Sequence, residues 1–203
     1  MAFFALPALD YDFGALEPHI SGRIVELHHR EHHAAYVRHA NSALERLEEA
    51  RARSDLAKVA DLERNLAFNL SGHVLHSILW RNLSPGGGGR REGELAREID
   101  RSLCSFTGFK EHLTGANGST TRSDWGALAW EPLSTRLLVR RVYDHQSNVA
   151  PADAPHLVID AWEHAYNRQC ENQREGFFKT IWNLWNWNGV AKRREAARRL
   201  DAG

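Results

Sequence analysis

Histidines are concentrated in three places where their spacing invites metal chemistry. In Leu27-His28-His29-Arg30-Glu31-His32-His33, the pairs His28/His32 and His29/His33 stand four apart, so on a helix each pair projects from one face, and only some of the four can point inward. In His73-Val74-Leu75-His76-Ser77-Ile78-Leu79-Trp80, a histidine sits in the middle of an apolar helix with a tryptophan one turn on. In Ile159-Asp160-Ala161-Trp162-Glu163-His164, an aspartate closes an apolar, strand-like run and a histidine follows four residues later. Each has a plain reading by itself, since a lone core histidine packs and an acid ahead of a helix caps it. Taken together, imidazoles from three segments and one carboxylate form a nitrogen and oxygen donor set suited to manganese, iron or zinc. The aromatic residues nearby, Tyr36, Trp80, Trp125, Trp130 and Trp162, suggest a dry cavity around a redox-capable ion.

Rival chemistries lack their parts. A carboxylate-bridged di-iron bundle needs paired Glu-x-x-His motifs, and Glu26-Leu27-His28-His29 is the only one in the chain. There is no His-Glu-x-x-His, no G-x-G-x-x-G, and no Lys-Ser/Thr after Gly86–Gly89 to cradle phosphate. A mononuclear site is favoured.

The rest of the composition is that of an ordinary globular chain. Of 203 residues, 42% are hydrophobic and 26% charged, and 26 Lys+Arg balance 26 Asp+Glu, which argues against charge-driven disorder and against a dedicated nucleic-acid binder. The excess lies in 12 histidines and 7 tryptophans. Cys104 and Cys170 alone exclude a disulfide framework or a Cys-rich metal site, and both are expected as buried or half-buried thiols. Pro7 and Asp10 interrupt the first apolar stretch before it makes a signal-peptide core, and no run of about 18 apolar residues predicts a membrane span. The expected location is the cytoplasm.

Helical spacing predicts one long helix over Pro18–Ala52, with Ser21 as a local cap, and a second from Ser54 or Asp55 to Leu83. Ser84-Pro85-Gly86-Gly87-Gly88-Gly89 then breaks any helix, which predicts an N-terminal α-hairpin domain over 1–85 and a C-terminal α/β domain over 86–203. In the second part, Gly93–Leu113 reads as helix. The segments 124–133, 136–144 and 155–162 read as strands of a small antiparallel sheet of about three strands, and 163–172 and 176–187 as helices. The fold class is α+β. Lys192–Leu200, rich in arginine, is expected as a solvated helix end.

With these residues assembled, the chain resembles the iron/manganese superoxide dismutase family along nearly its whole length. The resemblance is carried by Leu6–Ser21, Leu27-His28-His29 with His32-His33-Ala34-Ala35-Tyr36, Gly72-His73-Val74-Leu75-His76-Ser77 with Trp80, and Asp160-Ala161-Trp162-Glu163-His164-Ala165-Tyr166, which matches the signature D-x-W-E-H. It implies a superoxide-disproportionating antioxidant oxidoreductase holding one iron or manganese ion per subunit on His28, His76, Asp160 and His164. Tyr36 and His32 would flank the substrate funnel, and Trp80, Trp125 and Trp162 the aromatic shell. Glu163 would reach a second subunit's ligand histidine in a homodimer or homotetramer, and Tyr166 would line the site. Family members hold a glutamine near the bound solvent, from the second helix or from the β-region loop. The helix position here is Gly72, so His145 or Gln146 is expected to serve, and a histidine there inclines the expectation towards iron. No nucleic acid and no membrane is expected as a partner.

Some positions depart from the family pattern. Arg122-Ser123-Asp124-Trp125 replaces Gly-Ser-Gly-Trp, which predicts an aspartate at a position favouring positive φ. Asn167 replaces a second tyrosine, and Arg168 and Cys170 stand where apolar and aromatic residues are common. These changes motivate two alternatives: a divergent metalloenzyme oxidising an organic substrate, or a metal-binding protein without turnover. His29, His33 and His73 are expected to be packing residues rather than support for the ligands.

Overall fold

The computed structural model describes residues 3–89, 92–118, 123–162, 165 and 174–201. An N-terminal helical hairpin is followed by a part in which a three-stranded antiparallel sheet packs among helices, the α+β architecture expected from the sequence. The first helix begins at Gly22, where the Ser21 hydroxyl accepts from the Ile24 amide. It runs as α1 (Gly22–Leu27), a π-helical turn (His28–His33) and α2 (Ala34–Ala52). The expected start at Pro18 is therefore four residues early.

The wide turn was not foreseen from periodicity, and it has a geometric consequence. An α-helix advances about 100° per residue, so the eight steps from His28 to Tyr36 would leave their side chains about 80° apart. One residue absorbed in a π turn reduces this to about 20°. Both rings accordingly reach His76, with centroids 4.8 and 5.1 Å from it.

Helix α3 (Val59–Asn82) returns along α2 through a seam of Val37, Ala40, Ala43, Leu47 and Leu62, whose small residues let the backbones approach. Past the glycine run, the expected single helix is two, α4 (Gly93–Leu103) and α5 (Phe106–Gly118). The break falls at Cys104, whose φ of 66° a continuing helix cannot accept. Its thiol is exposed rather than buried. The sheet has the order β2-β1-β3, from β1 (Asp124–Glu131), β2 (Arg136–Tyr143) and β3 (Ala154–Asp160). Strand β1 is central and buried from Asp124 to Trp130, matching its near-continuous apolar run. Its register sets Trp125 opposite both Val142 and Asp160, and directly opposed residues share a face.

After β3 come α6 (Arg174–Thr180), a 3₁₀ turn (Ile181–Asn183) and α7 (Trp187–Asp201). The helix expected over 163–172 lies outside the described residues. Helix α7 is not simply solvated. Arg194 is buried, pairs with Glu98 and lies over the Trp130 ring, while Arg193 donates from Nε to the Pro155 carbonyl at 2.7 Å. No helix among the described residues is long and apolar enough to cross a membrane.

Candidate metal centre

Three of the four expected ligands fall within the described residues, and the fold brings them together. His28 comes from the start of the π turn, His76 from α3 and Asp160 from the end of β3, all buried, with one potential donor atom each lying within 4.8 Å of the others. Asp160 Oδ2 is 3.0 Å from His28 Nε2 and 3.7 Å from His76 Nε2. Such a knot of lone pairs in a buried site fits a cation, which turns its mutual repulsion into attraction. His164 lies outside the described residues, as do Glu163, Tyr166, Arg122, Asn167, Arg168 and Cys170.

The outer hydrogen bonds aim each donor. His76 Nδ1 donates to the Gly72 carbonyl at 2.6 Å, so its proton sits on Nδ1 and the Nε2 lone pair faces Asp160. Burial, then the neighbouring His28, pushes the His76 imidazole well below its ordinary pKa, which keeps it neutral. Asp160 Oδ1 accepts the Trp162 amide at 2.9 Å, leaving Oδ2 for the cluster. Strand β3 is clipped to α3 by Asn82, which donates to the His156 carbonyl and accepts the Val158 amide, each at 2.9 Å. Asn82 is buried and was missed from the sequence because an asparagine near a helix end reads as a cap.

On the sheet side, the candidates His145 and Gln146 separate. Tyr143 and Ser147 exchange backbone hydrogen bonds at 3.0 and 3.1 Å, closing a loop with Asp144 at a φ of 52°. That loop turns His145 inward, where it stacks on Trp162 (4.7 Å, 3° between planes) and meets the Tyr36 ring edge-on at 4.6 Å. Trp125 Nε1 donates to His145 Nδ1 at 2.9 Å. An indole can only donate, so neutral His145 carries its proton on Nε2. Gln146 instead lines an outer cavity, and its side-chain oxygen accepts the His145 amide. Phe68, one turn before Gly72 on α3, walls the same space 4.8 Å from His145 and was not singled out in the sequence. Gly72 has a steric reason: a Cβ there would stand 2.9 Å from Tyr36 Cγ and Cδ1 and 3.3 Å from His145 Cδ2.

The hairpin side repeats the pattern. Trp80, edge-on to His28 at 4.9 Å, donates from Nε1 to His33 Nδ1 at 3.0 Å, and His33 Nε2 then donates to His73 Nδ1 at 2.8 Å. His29 Nε2 donates to the Pro7 carbonyl at 2.8 Å. These three histidines are thus hydrogen-bonded supports of the cluster's wall, not packing residues alone. His32 stands at the rim, its ring 6.2 Å from that of His28. Burial and the Asp160 charge hold the Tyr36 hydroxyl well above its ordinary pKa, so it keeps its proton.

Asp124 does not occupy a left-handed position. It opens β1 with its carboxylate fully buried, and Oδ2 accepts from Arg141 Nε and Nη2 at 2.9 and 2.6 Å. Asp124 is engaged structurally, which removes it from the residues that motivated an organic-substrate alternative.

Comparison with known proteins agrees with this geometry. Residues 3–84 match the model of the iron/manganese superoxide dismutase α-hairpin domain, and residues 91–193 match that of the C-terminal domain. The chain is similar to the superoxide dismutase [Fe] of Mycobacterium tuberculosis, with 49% identity covering 97% of this chain and 95% of that protein. It is also similar to the superoxide dismutase [Mn] of Mycolicibacterium smegmatis, with 48% identity covering all of this chain and 98% of that one.

Proposed function

The chain belongs to the iron/manganese superoxide dismutase family and disproportionates superoxide to oxygen and hydrogen peroxide, and on that premise we propose that His28, His76, Asp160 and His164 hold its iron or manganese. The observation that carries this assignment is the convergence of three buried donor atoms with their tautomers and orientation set by Gly72, Trp162 and the sheet register. His164 completes the set through the D-x-W-E-H match at 160–164. Held there, the ion would supply the one-electron redox chemistry that disproportionation of superoxide requires.

The chain's own residues handle protons and access. Tyr36 keeps its hydroxyl proton and stands against His76 and His145, so it is a proton donor beside the ligands in this reading. His145 Nε2–H, oriented by Trp125, is the second donor in this reading, and Gln146 has no part in it. His32 and Tyr36 flank the entry. Trp80, Trp125 and Trp162 exclude water and fix the neighbouring groups.

Iron is the proposed resident metal, supported by the inward His145 at the loop position where the family resemblance leads one to expect a glutamine and where a histidine resembles certain iron-type members. The relatives named for both metals leave this to experiment. A homodimer or tetramer with Glu163 crossing to the partner, a cytoplasmic location and a division of the chain between 85 and 86 belong to the same reading. The test is superoxide decay per bound ion, by stopped flow, on protein loaded separately with iron and with manganese. Fast turnover with iron alone supports the metal choice, and fast turnover with manganese alone overturns it. Asp160→Ala should lose both bound metal and activity, and an Asp160→Ala protein that retains both would remove the ligand assignment. Tyr36→Phe should retain metal and change the pH profile. An unchanged profile would end the proton-donor role.

A further inference from the structure

On the outer side of α3, away from the ligand cluster, two arginines face one cavity without an acid between them. The cavity, about 310 Å³, is lined by His73, Ser77 and Arg81 of α3, Arg193 of α7 and the apolar residues Ala5, Pro7, Val74 and Ile78. Among the described residues neither Arg81 nor Arg193 forms an ion pair. Arg193 spends only Nε, on the Pro155 carbonyl, and Arg81 uses its main-chain carbonyl, which accepts from Asn186. Asp10 lines the adjoining cavity with Arg81 but makes no ion pair with it.

Two guanidiniums held near each other repel, and most proteins relieve this with a carboxylate. Here burial and then Arg81 lower the Arg193 pKa, which marks an uncompensated pair of positive charges. His73 adds a donor. Its Nδ1 accepts from His33, so its ring proton is on Nε2 and remains for the cavity side. Ser77 adds a hydroxyl acceptor whose own proton goes to the His73 carbonyl at 2.8 Å.

We propose that this cavity binds a phosphate group, held by Arg81, Arg193 and the Nε2–H of His73, with Ala5, Pro7 and Val74 against any organic remainder. The chemistry follows from the donors: guanidiniums in a fork match the paired oxygens of a tetrahedral oxyanion, where a halide would satisfy one donor at a time. The site is separate from the ligand cluster and uses none of its residues.

The test is calorimetric titration of the metal-loaded protein with inorganic phosphate, at ionic strength held constant with sodium chloride. One phosphate per chain is expected, with an apparent melting temperature that rises with phosphate concentration. Arg81 is exposed, so Arg81→Gln should fold normally, leave dismutation unchanged and weaken binding by at least tenfold. Arg53→Gln, on the far tip of the hairpin, should bind as the parent does. Phenyl phosphate distinguishes the sources, since tighter binding than inorganic phosphate assigns the site to a phosphomonoester with an apolar body, and weaker binding assigns it to the free ion. Absence of saturable uptake overturns the proposal. Uptake that survives Arg81→Gln also overturns it, because that binding would be at the metal centre or elsewhere.

Discussion

The two walls of the metal centre are built from the same pair of residues used differently. On the hairpin wall Trp80 donates to His33, and on the sheet wall Trp125 donates to His145. In both, a donor that cannot be protonated fixes which imidazole nitrogen carries hydrogen. His33 donates outward to His73, so both of its own nitrogens are spent in holding Trp80 beside His28. His145 has Tyr36, Phe68 and Trp162 packed around it, and its Nε2–H belongs to the interior. A shared local device thus makes a brace on one side and, in the proposed function, a proton donor on the other, according to where the second nitrogen points.

The sharpest way to break this comparison is Trp125→Phe. It keeps an aromatic filler but leaves His145 Nδ1 without its donor, and the ring is then free to take the wrong tautomer. Activity per bound metal should fall about 10–100-fold, the usual cost of losing an outer partner in a metal site. Stopped-flow decay with metal analysis on the same sample checks this. Trp80→Phe should instead leave turnover within about threefold and lower the urea midpoint, corresponding to about 1–3 kcal/mol for a buried acceptor left unpaired. Equal losses of activity in the two variants would collapse the distinction between brace and proton donor.

Acid sharpens the same contrast. Burial, then the charges of His73, His29 and His28, lowers the His33 pKa to about 3, against an ordinary 6.5. Between those values the unfolded chain binds a proton that the folded one refuses, so stability is full above about pH 6.5 and declines as pH falls towards 3. One such group contributes a slope of about 1.4 kcal/mol per pH unit. Urea midpoints from pH 7 to 4 should follow that fall, and Trp80→Phe should flatten it, because freeing Nδ1 lets folded His33 accept the proton. The smallest effect is expected from His73→Ala. His73 is only half-buried, water can replace it as acceptor for His33, and the cost should be about 1 kcal/mol or less in the same urea measurement.

The three donors that the fold brings together, His28, His76 and Asp160, were legible because donor chemistry is written in residue type. The three strands were legible too, since alternating and apolar runs bounded by turn residues fix them locally. The features that escaped depend on what stands opposite. A π turn inside Leu27–Tyr36 has the composition of an α-helix, and what sets it apart is that it brings His28 and Tyr36 to one cavity, which only the packed structure shows. The helix break at Cys104 has neither proline nor glycine to announce it. Asp124 looked like a misplaced turn residue because its partner, Arg141, lies on the neighbouring strand. Arg193 and Arg194 read as solvated ends of an amphipathic helix, whereas Pro155, Glu98 and Trp130 draw them into the body of the protein.

The bare backbone at Gly72 also constrains the order in which mutations can accumulate. Any side chain there presses on Tyr36, and the space into which that ring would retreat holds His145, 4.6 Å away. A larger residue at 72 is therefore tolerated only on a background where position 145 has already shrunk or Tyr36 has already moved. Positions 72 and 145 are thus coupled through Tyr36, and a lineage that transferred the inward hydrogen-bonding group from loop to helix would have to change position 145 or Tyr36 before it enlarged position 72.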